Sequence, residues 1–88
     1  MSDSEKAAKM VEALKAAEFK PAQVALPALN QHVALMQGKV EGALEADEAR
    51  ATAFMAVCEV AKALHRGAPA AQLWKSAISA AERWKSLF

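Results

Sequence analysis

The chain has no tyrosine, three glycines, three prolines and a single cysteine. So few glycines and prolines leave little turn chemistry for a many-stranded fold, and the scarcity of aromatics further disfavours a sheet. One cysteine, Cys58, excludes an internal disulfide and points to a reducing, cytoplasmic setting. Neither charge sign is in excess. Lys and Arg number 11 against 10 Asp and Glu, a net charge of +1. That balance argues against nucleic-acid binding through bulk charge and against an acidic disordered tail. The opening MSDSEKAAKM carries no apolar signal-peptide core, which argues against secretion by that route. The longest uncharged run, Pro21–Gly38, is interrupted by Gln23, Asn30, Gln31, His32 and Gln37 and by two prolines. A membrane-spanning helix needs about 20 mostly apolar residues, so this run is expected to be a buried or partner-facing helix instead.

What the sequence has in quantity is alanine, 23 of its 88 residues, within a hydrophobic fraction of 55%. That composition is far from disordered and favours helix. One all-α domain spanning residues 1–88 is expected, arranged as a small antiparallel bundle or helical-hairpin array of three to four helices. The first stretch runs from about Ser4 to Glu18. Ser2 and Glu5 have capping-box spacing, and Ala7, Met10, Val11, Leu14 and Ala17 form one apolar stripe. Pro21 ends it.

A second stretch extends from about Ala22 to Leu44, with a seam of Ala22, Leu26, Leu29, Val33, Met36, Val40 and Ala43. The seam keeps its phase through Pro27, which predicts a helix kinked there rather than broken. The third runs from about Asp47, a plausible N-cap, to Arg66, with Gly67 as its terminator. Its predicted buried face is Phe54, Val57, Cys58, Ala61, Leu64 and His65, which makes Cys58 a buried thiol. The fourth begins at Pro69 and runs nearly to Phe88. Leu73, Trp74, Ala77, Ile78, Ala80, Ala81, Trp84 and Phe88 make its apolar face, with Trp84 the deeper tryptophan.

The residues that chemistry needs are thinly spread. Cys58 and His65 are seven apart, about 10 Å along a helix, too far for a thiolate–imidazole pair. Neither histidine has a His, Cys, Asp or Glu at i,i+3 or i,i+4 spacing. Met55 and Cys58 have the spacing for a soft ion, but these residue types also fill helical cores. Glu41, Glu45, Asp47 and Glu48 read as first-turn acids favoured by the helix dipole rather than a general acid–base pair. Phosphate loops, nucleophile elbows and zincin motifs are missing. No catalytic residue, cofactor or metal site is therefore expected.

The second stretch carries a feature that an isolated surface helix does not need. Besides its main seam it has a second apolar ridge of Val24, Ala28, Leu35, Gly38 and Gly42. Two ridges imply a helix sandwiched between neighbours, or one that offers its second ridge to a partner. Uncharged Gln and Asn beside small residues suit an interface core. The expected function is a non-catalytic protein–protein interaction module: an adaptor, a small chaperone-like partner or a self-associating subunit, most simply a homodimer. Val24, Ala28, Gln31, Leu35 and Gly38 are the expected partner-binding residues. The alternative is a regulatory DNA- or membrane-surface-binding protein that uses the fourth helix, with Lys75, Ser76, Ser79 and Arg83 toward the ligand. Sparse basic residues on the third helix argue against nucleic acid, and the small positive excess of the fourth argues against a membrane surface.

Overall fold

The computed structural model describes residues 2–37 and 44–88. Four α-helices follow in order: α1 (Asp3–Ala17), α2 (Ala22–His32), α3 (Leu44–Arg66) and α4 (Ala71–Ser86), with a 3₁₀ turn at Val33–Met36 continuing α2. No strand occurs among the described residues. The chain is thus an all-α bundle.

α1 begins where the capping spacing placed it. The Glu5 backbone N–H donates to Ser2 Oγ at 3.2 Å, and the Ser2 hydroxyl donates to the Glu5 carboxylate at 3.1 Å. Its buried residues are Ala7, Met10, Val11, Leu14 and Ala17, the stripe read from the sequence. α2 runs through Pro27 without ending there. It does not continue as an α-helix toward Leu44. The backbone tightens into the 3₁₀ turn at Val33, and Gln37 is extended with ψ 158°. A 3₁₀ turn winds about 120° per residue rather than 100°, so the seam loses its helical phase after His32. Gly38, Val40, Gly42 and Ala43 of the predicted seam and second ridge lie outside the described residues, as do Lys39 and Glu41.

α3 starts at Leu44, so Asp47 sits inside its first turn and is not the N-cap. Its far end is a full Schellman closure: Ala68 N–H reaches Ala63 O at 2.9 Å and Gly67 N–H reaches Leu64 O at 3.3 Å, with Gly67 at φ +65°. The helix is rotated from its predicted facing. Ala46, Ala49, Ala53, Val57, Val60 and Ala63 are buried, while Phe54, Cys58, Ala61 and Leu64 are half-buried and His65 is exposed. Small residues face inward because the facing helix supplies the bulk. Trp74 and Trp84 of α4 occupy the core, and a large residue opposite each would overfill it. α4 itself begins two residues later than Pro69 suggested, at Ala71.

Packing closes into a ring. α4 lies against both α3 and α1, and α2 lies against α1 and α3, while the backbones of α1 and α3 stay apart across the middle. Lys15–Glu82 at 3.6 Å ties α1 to α4, and Arg83–Glu45 at 3.5 Å ties the end of α4 to the start of α3. The latter pair places the end of α4 beside the start of α3, as in an antiparallel pair. The helix gripped by two heavy contacts is α4, not α2. Trp84 is fully buried and Trp74 nearly so, whereas Phe88 is half exposed. At the other end of the molecule Arg50 reaches across from α3. Its guanidinium donates to the Met36 carbonyl and, at 3.0 Å, to Asp47 Oδ1, fastening the 3₁₀ turn to α3.

Candidate interaction surface

α1 and α2 join through a turn that Pro21 sets, and α2 lies back along α1. Beside the buried stripe of α1 runs a second strip of Ala13, Ala16 and Lys20. Val24, Ala28 and His32, one helical turn apart on α2, face it across a groove of about 170 Å³ that Ala17 floors. The walls are almost wholly apolar, and they are made of methyl groups because four of the seven lining residues are alanines. Alanines let the two helices come close yet leave a slot that no large side chain among the described residues fills. His32 closes one end with a fixed ring: its Nδ1 donates to the Ala28 carbonyl at 2.8 Å. At the other end stand the exposed side chains of Lys20 and Val24. Val24 is 51% exposed, and Phe19, next to the groove-lining Lys20, is 90% exposed.

An apolar cavity of about 150 Å³ admits a benzene ring, so this groove has the size for one aliphatic or aromatic side chain. A second, wider depression between α1 and α4 is lined by Lys15, Glu18, Lys75, Ile78 and Ser79. Its charges are mixed, and Lys15 is already paired with Glu82.

The expected partner-binding residues separate. Val24 and Ala28 come together on the groove. Gln31 is exposed but does not line it. Leu35, in the 3₁₀ turn, is half-buried against the core, so it does not share a ridge with Val24. Gly38 lies outside the described residues. Ala13, Ala16 and Lys20 line the groove from the α1 side and are not among the expected residues. Their signal was present: Ala13, Ala16 and Lys20 sit three and four apart, adjacent to the core stripe.

Compared with protein-family models, with curated proteins and with solved structures, the chain matches none. The other chemistry that the sequence suggested is dispersed. Met55 is exposed and Cys58 half-buried on α3. Among the described residues no three His, Cys, Asp or Glu side chains gather as a metal site. Lys75, Ser76, Ser79 and Arg83 are exposed on α4, but Arg83 pairs with Glu45, and both tryptophans of the opposite face are committed to the core. No helix among the described residues is long and apolar enough to cross a membrane.

Proposed function

We propose that this chain is a non-catalytic protein–protein interaction module whose receiving surface is the groove between α1 and α2. The observation that carries the reading is an apolar slot, walled largely by alanines, that the exposed Val24 lines and that exposed Phe19 adjoins in sequence. An apolar slot bordered by an exposed apolar side chain is the kind of contiguous patch that marks an interaction site. A partner helix laid along the groove would insert one apolar side chain between the alanines and rest on Val24 and Phe19. Gln23 and Gln31, exposed and uncharged, lie on the same helix as polar contacts for a rim.

A photo-crosslinking residue placed at Val24, in the native cell, tests this. It is expected to trap a defined protein, and the same residue at exposed Gln72 on α4 is expected not to. Equal capture at both positions, or at neither, contradicts the proposal.

A further inference from the structure

The outer face of α3 does not look like the outer face of a solvated helix. Leu44, Glu48, Ala51, Met55, Cys58, Lys62 and His65 follow one another at alternating spacings of four and three, a heptad seam. The seam lies opposite the buried alanines, so neither α4 nor α2 covers it. Its middle is uncharged, with Met55 62% exposed, and Leu44 at its start is 72% exposed. Its two ends are charged with opposite signs: Glu45, Asp47 and Glu48 near the beginning, Lys62 and Arg66 near the end. Asp47 is held by Arg50, and Lys62 by Glu59 at 3.4 Å in an exposed pair. Glu48 and Arg66 enter no ion pair among the described residues.

The arrangement is self-complementary. Glu48 and Lys62 are each seven residues from Met55. We infer that the outer face of α3 is a homodimer seam in which two copies of α3 pair antiparallel about Met55. Turned end for end, Glu48 of each copy lies over Lys62 of the other while Met55 meets Met55 on the two-fold axis. Parallel pairing would set acid on acid and base on base, which like-charge repulsion disfavours. The helix macrodipoles also oppose each other favourably in the antiparallel arrangement.

A 23-residue helix is about 34 Å long, so two such strips bury on the order of 1,000 Å² in total, near the lower end for specific contacts. The dimer is therefore concentration-dependent. This surface is distinct from the α1–α2 groove, so a dimer built this way leaves both grooves open.

Sedimentation of the full chain from about 10 µM to about 1 mM tests the inference, a range that covers weak association through a small contact. The 9.4 kDa chain is expected to shift toward twice that mass. Met55→Lys is expected to hold it monomeric with its melting temperature kept, since Met55 is exposed in the single chain. Glu48→Lys and Lys62→Glu are each expected to weaken the dimer at least about ten-fold, and mixing the two variants to restore it, because both ends then match. Met55→Cys in a Cys58→Ser background is expected to form a disulfide-linked dimer on mild oxidation. A monomer throughout the range overturns the inference. So does a dimer that Met55→Lys leaves intact, or a mixture that stays as weak as its components. Val24→Glu is expected to leave the dimer untouched, so failure here and failure of the groove reading are told apart.

Discussion

Replacing Trp84 in two different ways separates packing from hydrogen bonding in the core. Trp84 is the largest fully buried side chain, and its indole N–H has no hydrogen-bond partner among the described residues. Burying roughly 200 Å² of indole at about 25 cal/mol per Å² is worth at most about 5 kcal/mol, and truncating a core Trp to Ala costs about 3–5 kcal/mol. A domain of 88 residues has only about 4–13 kcal/mol in total, so Trp84→Ala is expected to be mostly unfolded or to melt far earlier. Trp84→Phe leaves a void of a few carbon atoms, about 2–3 kcal/mol at roughly 1 kcal/mol per methyl-sized gap. It also removes an unsatisfied buried donor, worth about 1–3 kcal/mol in the opposite direction. The two nearly cancel, so Trp84→Phe is expected to lie within about 2 kcal/mol of wild type. Urea denaturation followed by far-ultraviolet circular dichroism measures both variants without relying on tryptophan emission. If Trp84→Phe is as damaging as Trp84→Ala, the indole N–H is contributing a hydrogen bond, and the reasoning fails.

Gly67→Ala places a Cβ at φ +65° where nothing lies within 4 Å, so the cost is backbone strain alone, about 1–2 kcal/mol by thermal melting. Full stability in that variant would mean that the Schellman closure of α3 is dispensable. Arg50→Met keeps the aliphatic stem but removes the donors to Met36 and Asp47, and a loss of about 1.5–3 kcal/mol per charged hydrogen bond is expected in a urea titration. Leu35→Glu is expected to destabilise the fold, because Leu35 packs on the core, whereas Val24→Glu at the exposed groove rim is expected to melt within about 0.5 kcal/mol of wild type. Reversed melting behaviour in that pair would show the two residues to be wrongly placed. Cys58 is half-buried, so a small thiol reagent is expected to modify the folded protein. Labelling that requires denaturant would return Cys58 to the core.

Helix content and the α1 core stripe could be read from the chain because local signals agree there: a Ser2–Glu5 cap, a regular apolar period and Pro21 as a stop. Gly67 was equally readable, since only a left-handed position explains a glycine at that boundary. The facing of α3 was not readable. Periodicity ranks faces by hydrophobicity, so it favoured Phe54, Cys58 and Leu64 over a stripe made largely of alanine. Which face turns inward depended on two tryptophans arriving from α4, a tertiary fact that no window on α3 contains. The end of α2 escaped for a related reason. A heptad-like seam persists in the letters through Val33 and Met36, while the backbone changes to a 3₁₀ turn held from outside by Arg50. That change also explains why the expected partner ridge divides. Val24 and Ala28 lie before the turn and reach the groove, and Leu35 lies within it and does not.

The groove between α1 and α2 carries the functional account, and Val24→Glu measures it most directly. A charge at the rim of an apolar slot removes the slot's affinity for an apolar side chain without disturbing the residues beneath it. Whatever protein the Val24 crosslinker traps, its affinity for the wild-type chain and for Val24→Glu is to be compared by titration calorimetry, with circular dichroism confirming equal helix content. The account predicts a loss of affinity of at least about ten-fold for the folded variant. Unchanged binding by a folded Val24→Glu chain would contradict it.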